Sequence, residues 1–319
     1  MKRIKLDKRI TILVNSCDSY SDLWIPFFTL LKKYWDTEGI SVLLNTETKD
    51  FKFEGLDIEC VHCPNAPYGR RIRHALRTVR TKYVIIMLDD FFLRQPVDNE
   101  KVNQIVNWME NDKQIVYFNY SSPKQGYDLK SPYENFTQIL PGASYTLSLQ
   151  LGIWRTKKLI SYWTDNVSPW EWEVYSDIKT CWHKKDRFYH TSCPYIFDYG
   201  YYKSGDIFGV YRGKWYLEDV VPLFEKEGIV VDYAQRNTKS ATVKLFNNLQ
   251  QPSKLRVRRF IVKYKKTVRL LGLEGAYHLF FYHLDRLRCK LYGRTIDKDF
   301  YSYTRNKARE KYFATVQKS

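Results

Sequence analysis

Six uncharged residues in a row, 83–88 (YVIIML), stop abruptly at two acids, Asp89 and Asp90. An apolar run with no polar alternation fits a β-strand buried on both faces, the kind found inside a sheet covered by helices on two sides. The surroundings agree. Residues 10–15 (ITILVN) form a β-branched run ended by Ser16, Cys17 and Asp18, and 22–34 carries helical spacing. Two short apolar segments, 42–44 and 58–61, are bounded by Asn, Asp, Gly and Pro, and 68–80 (YGRRIRHALRTVR) again repeats at helical spacing. Strands alternating with helices in this way predict an α/β fold with a mostly parallel sheet.

Further along, the pattern predicts a helix over 99–111, strands over 114–120 and 145–154, and a helix over 156–163. Ser168-Pro169 opens a helix running to 182, glycines 200, 205 and 209 mark hairpins over 195–210, and 217–227 closes this half as a short helix. The segment 247–253 (NNLQQPS) reads as a linker, dividing the chain into a body, 1–250, and a tail, 251–319. Charge separates the two parts more sharply than the linker does. The tail holds 18 Lys/Arg against 5 Asp/Glu, a net +13 of the chain's +17. Its first segment sets Val257, Phe260, Ile261, Tyr264, Val268 and Leu271 on one helical stripe among cations. Such a helix suits an anionic membrane surface, or a dock on the body with its basic face in water.

The 319 residues include 53 Phe, Trp and Tyr, a surplus suited to core packing and to stacking on flat ligands or sugar faces. Ordinary apolar and charged fractions exclude a disordered or fibrous chain. Six cysteines and no apolar leader point to a reducing cytoplasm, and no run of about 18 apolar residues crosses a bilayer. Cys60-Val61-His62-Cys63 offers one CxxC without a second pair, and His183 and His190 stand near Cys181 and Cys193, but spacing alone does not bring four zinc ligands together. No Walker loop, nucleophile elbow or HExxH occurs.

Asp89 and Asp90 should emerge at the C-terminal end of their strand, where open α/β sheets bind ligands. Neighbouring anions repel, and a hard divalent cation bridging to a diphosphate relieves that repulsion. Mg²⁺ or Mn²⁺ is the expected cofactor, held by Asp89 and Asp90; a turn or helix cap is the plainer use of the same acids. Arg70, Arg71 and Arg73 open a Gly-containing helix and are placed either to meet phosphates or to face solvent. In Pro169-Trp170-Glu171-Trp172-Glu173, a carboxylate among indoles suits a general base beside a sugar, while Glu in a first turn also suits the helix dipole. Residues alone do not choose between Glu171 and Glu173.

The succession of Asn15-Ser16-Cys17-Asp18, a helix with Gly69 and Arg70, the YVIIML strand and Asp89-Asp90 resembles the GT-A type glycosyltransferases of bacterial surface polysaccharide (capsule or lipopolysaccharide) synthesis. The segment 147–173 is similar to the acceptor side of those enzymes, and the resemblance covers about residues 9–230. It implies a Rossmann-like mixed sheet flanked by helices, here with a basic helical C-terminal extension. It also implies a nucleotide-sugar donor bound by Asp18, Arg70, Arg71, Asp89 and Asp90, and inverting transfer with Glu173 or Glu171 as base. Trp170, Trp172 and Gln150 would meet the acceptor. The motif here is Asp89-Asp90-Phe91, without the third-position Asp usual in that family. The expected acceptor is a lipid-linked glycan at the cytoplasmic face of the membrane, with no nucleic acid as partner. The rivals are a nucleic-acid binder using the aromatic, basic tail and an inactive sugar-binding scaffold.

Overall fold

A computed structural model of the chain describes residues 4–120, 131–139, 145–176, 179–180, 183, 185–191, 196–200, 209–211, 213–236 and 238–239, with 265, 268, 269, 272, 273 and 277. Eight strands form the main sheet: β1 (Ile10–Asn15), β2 (Val42–Thr46), β3 (Ile58–His62), β4 (Tyr83–Leu88), β5 (Ile115–Asn119), β6 (Phe136–Ile139), β7 (Gly152–Arg155) and β8 (Arg187–Thr191). Their order is β3-β2-β1-β4-β7-β5-β8-β6. All run the same way except β7 and β6, which lie antiparallel to their neighbours. The mixed α/β sheet flanked by helices is therefore the architecture expected from the sequence.

Strand alternation explains why YVIIML carries no polar face. Tyr83, Ile85 and Met87 join the core under α1 (Trp24–Tyr34), α3 (Asn99–Asn111) and α6 (Leu217–Glu227). Val84 and Ile86 join the opposite core under α2 (Tyr68–Thr78), α4 (Thr156–Tyr162) and α5 (Pro169–Tyr175). β1 divides the same way, with Ile10, Ile12 and Val14 on one side and Leu13 on the other. Much of the aromatic surplus fills these layers. Tyr117 stacks on Trp154 with centroids 3.6 Å apart, and Trp163 on Trp172 at 4.1 Å.

Several elements differ from the sequence reading. The strand expected over 145–154 is confined to β7, because Leu149 N–H donates to the Glu173 carboxylate at 2.7 Å instead of extending a ladder. The helix expected over 168–182 ends as α5 at Tyr175, with Ser176 closing it on the Trp172 carbonyl. β6 and β8 carry too little apolar alternation to be seen as strands alone; pairing on β5 and on each other makes them. A small second sheet joins β9 (Val210–Tyr211), β10 (Lys214–Tyr216) and β11 (Thr238–Lys239). The linker and most of the proposed hairpins lie outside the described residues, as does the tail apart from its six helical positions.

Gly69 fixes how α2 meets the α4–α5 connection. Its N–H donates to the Val167 carbonyl at 3.0 Å, and a Cβ there would sit 2.1 Å from the Thr164 carbonyl oxygen. Backbone gives way less readily than a side chain. Gly69→Ala is expected to destabilise the protein by about 1–3 kcal/mol, read from the urea midpoint at unchanged m-value.

A candidate donor and metal site at the ends of the parallel strands

Register places the first pieces. Asn15 of β1 lies opposite Leu88 of β4 and Asn45 of β2, so the residues that follow, Ser16 and Asp89, leave the sheet side by side. Asp89 is only 4% exposed, and Ser16 Oγ donates to its Oδ2. Trp24 Nε1 donates to the same hydroxyl oxygen at 2.7 Å, which turns the hydroxyl proton toward the carboxylate. Burial, and then the charge of Asp90, push the Asp89 carboxyl well above the usual carboxylate range. Asp90 is half-buried as a residue, but its Oδ1 is shut off from solvent and has no hydrogen-bond partner among the described residues. Burial raises its pKa to about 7, against lowering by a backbone hydrogen bond and by Arg236. Gly209 covers this acid: at φ +58° it passes so near that a Cβ would lie 2.6 Å from the Asp90 carbonyl oxygen. Asp219 pins that glycine by accepting from its N–H at 2.8 Å and from Arg94 Nη2 at 2.6 Å.

Both acids face inward, toward common neighbours. Each raises the pKa of the Tyr20 phenol, whose own burial is the larger cause. Arg236 lies over the Tyr20 ring at 4.1 Å and is held by Asp22 at 2.6 and 3.0 Å. An uncharged pair of acids, or an ionised pair compensated by a cation, satisfies this environment; a bare double anion does not. The residues thus fit a hard divalent ion, with buried carboxylate oxygens, one of them lacking a partner among the described residues.

Beside the acids lies a cavity of about 380 Å³, lined by Asp18, Ser21, Asp22, Lys49, Gln235 and Arg236 among others. Its size is that of a small-molecule site. Asp89 and Asp90 are outside its lining, and Arg236 connects the two regions, since it lines the cavity and its charge acts on both acids. Asp18 does not cap the helix after it. Its carboxylate accepts from the N–H groups of Glu47, Thr48 and Lys49 at 3.0 to 3.3 Å and from Thr48 Oγ1 at 2.6 Å. Burial raises its pKa, but the bonds from Thr48 and Lys49 prevail and hold it below the ordinary value.

The arginines of α2 differ in their surroundings. Arg71 is buried, donating to the Ser16 carbonyl and paired with Glu47. Arg70 is exposed, with its nearest acid Asp165 at 3.8 Å, and Arg73 also pairs with Asp165. Arg71 thus braces the β1 end within reach of the Asp89 charge, whereas Arg70 and Arg73 tie α2 to Asp165.

In the segment expected to meet an acceptor, Glu173 Oε1 accepts from Leu149 N–H at 2.7 Å and from Ser148 Oγ at 3.3 Å. Burial, then the charge of Glu173 and that of Asp89, raise the pKa of the Tyr68 hydroxyl, so Glu173 and Asp89 both act on one phenol. Tyr68 OH in turn accepts from Asn15 Nδ2. Glu171 has a different task. Its Oε2 accepts from the N–H and Oγ of Ser168, completing a capping box, and its Oε1 accepts from Arg269 at 2.9 Å. Trp172 is 1% exposed and stacked on Trp163, leaving no ring face for a sugar, whereas Trp170 is 68% exposed. Gln150 Oε1 accepts from Tyr199 OH at 3.0 Å.

Sequence reasoning missed Ser16 as a partner of Asp89, although it stands at the end of the first strand. It also missed Glu47, Asp22 and Arg236. Nothing local marks Arg236; it arrives from more than 200 residues away to meet Asp22.

No family model matches the chain, and no curated protein matches it in sequence. Among solved structures, S. aureus TarS residues 1–349 in complex with UDP-GlcNAc is 12% identical at a TM-score of 0.37, over 57% of this chain and 58% of that one. Longer S. aureus TarS gives 12% and 0.33, over 58% and 36%. A cytidylyltransferase from Leptospira borgpetersenii gives 12% and 0.31, over 52% and 68%. The chain spans less than two thirds of either TarS chain, and at these TM-scores the functional reading rests on the site's own residues.

Those residues predict a pH signature. An unfolded Asp90 ionises near its ordinary value of 3.8, the folded one near 7, so between these pH values the folded state holds the extra proton. Stability of the metal-free protein therefore falls as pH rises through that window. Scanning calorimetry should show Tm dropping from about pH 5 to about pH 8, a drop flattened in Asp90→Asn.

Proposed function

We propose that the protein is a glycosyltransferase that moves a sugar from a nucleotide-diphosphate donor to a hydroxyl of a lipid-linked glycan, in the assembly of a surface polysaccharide. The observation that carries this reading is the acid pair at the end of β4, with one buried Asp90 oxygen lacking a partner among the described residues and Arg236 linking the pair to a cavity it lines with Lys49. Asp89 and Asp90 would hold Mg²⁺ or Mn²⁺, which supplies charge neutralisation at a departing diphosphate. Ser16 and Trp24 hold Asp89 in place for that task. Lys49 and Arg236, balanced in the cavity lining by Asp18 and Asp22, are the cations that the donor phosphates would meet there.

Glu173, rather than Glu171, is assigned as the general base. A sugar hydroxyl is a weak nucleophile near neutral pH, and a carboxylate beside it accepts its proton as the bond from the sugar carbon to the donor phosphate breaks. The capping box and Arg269 engage both oxygens of Glu171 in holding α5. Exposed Trp170 offers a ring face for the acceptor.

The basic tail is assigned to an anionic membrane at the cytoplasmic face, where a lipid-borne acceptor is found. Leu273 is 88% exposed and Lys265 is exposed too, in a tail of net charge +13, a combination of apolar and cationic groups suited to an interface, while Arg269 reaches Glu171 on the body. No helix among the described residues is long and apolar enough to cross a membrane.

With a nucleotide-sugar donor and a cation, Asp89→Asn and Asp90→Asn should abolish turnover. Glu173→Gln should lower kcat by about 10²–10⁴-fold at little change in donor KM, while Glu171→Gln remains active. An active Glu173→Gln would remove the assigned base. Cosedimentation of the full chain with anionic but not zwitterionic vesicles, weakening as salt rises, checks the tail; equal recovery with both would refute its assignment.

A further inference from the structure

At the open edge of the main sheet, β3 carries Cys60 and His62 two residues apart, hence on one face. The loop after β2 brings Asp50 across that face. One ligand atom from each, the thiol sulfur, an imidazole nitrogen and a carboxylate oxygen, all lie within 4.8 Å of one another. We infer that Asp50, Cys60 and His62 form a binding site for a divalent transition cation of the zinc class, separate from the acid pair.

The geometry is close to what such an ion requires. Two ligands bound at about 2.0–2.1 Å at tetrahedral angles stand about 3.3 Å apart. His62 Nε2 lies 3.3 Å from Asp50 Oδ1. The Lys49 carbonyl oxygen, 3.1 Å from the same nitrogen, accepts its N–H in the ion-free protein, so metal binding exchanges that hydrogen bond as the ring takes its other tautomer. Phe51 N–H points at the Cys60 sulfur from 3.2 Å, an outer hydrogen bond that steadies a metal-bound thiolate. Binding exchanges the thiol proton, released to solvent, for a metal–sulfur bond, and two anionic ligands then neutralise the ion's charge.

The ligand set separates this site from the one on β4. Sulfur and imidazole select borderline and soft ions, whereas Asp89 and Asp90 offer only oxygen. β3 also stands three strands from β4, about 14 Å away. The CxxC spacing had pointed to Cys63, which falls beyond the end of the strand; alternation selects Cys60 with His62 instead. An ion here would staple the loop whose Thr48 and Lys49 N–H groups hold Asp18 at the cavity.

Cobalt(II) reports such a site through thiolate-to-metal charge-transfer absorption. Titrating the purified, reduced full chain with Co²⁺ should develop this band to one equivalent, and Zn²⁺ should displace it. Cys60→Ser should abolish the band; His62→Ala and Asp50→Asn should each weaken Co²⁺ binding about tenfold or more, with Cys63→Ser unchanged. Asp50 has 83% of its side chain exposed, so its variant reads ligation without threatening the fold. No band in the wild-type protein, a band surviving Cys60→Ser, loss with Cys63→Ser, or unchanged affinity in Asp50→Asn would each overturn the site. Asp89→Asn should leave the band intact, so failure here does not bear on the acid pair.

Discussion

Two neighbouring carboxylates cannot both be ionised in a buried place without compensation, and the site around β4 is organised by that cost. Ser16 donates to Asp89, the charge of Arg236 acts on both acids, and Gly209 closes against Asp90. Remove the acids and these features lose their common reason. Asp22 exists to hold Arg236, Asp219 to hold Gly209, and Trp24 to orient a single hydroxyl.

The same economy explains the arginines of α2. A helix opening with Gly69, Arg70 and Arg71 near the ends of the parallel strands invites a phosphate reading. Arg71 lies inside the protein, where Nη2 donates to the Ser16 carbonyl and Nη1 pairs with Glu47, while its buried Nε has no hydrogen-bond partner among the described residues. Its role is to set the backbone from which Ser16 reaches Asp89. Cationic contact with the cavity passes instead to Lys49 and Arg236, side chains from a turn and from the far end of the body.

Glu171 and Glu173 show how closely spaced, chemically identical residues part company. Both sit on α5, two positions apart, so they face about 200° around the helix from one another. One turns back to Ser168 and completes the helix start. The other turns to the Leu149 backbone and so interrupts what the alternation of 145–151 presents as a strand. Trp170 and Trp172 divide likewise, the first to solvent and the second onto Trp163.

The fold class was legible because it depends on local periodicity: an uncharged run such as YVIIML is tolerated only between two layers of helices, and its abrupt end in Asp89-Asp90 marks where the sheet opens. The strand termini Asp18 and Asp89 could be located for the same reason. Short β6 and β8 could not, since their hydrogen bonds go to strands distant in sequence and their side chains carry little pattern of their own. Nor could the partners of the acids, because Arg236, Asp22 and Glu47 meet only after the sheet has formed. Which side chains emerge at a strand end follows from the chain's own alternation; what neutralises them depends on contacts between segments that no local spacing encodes.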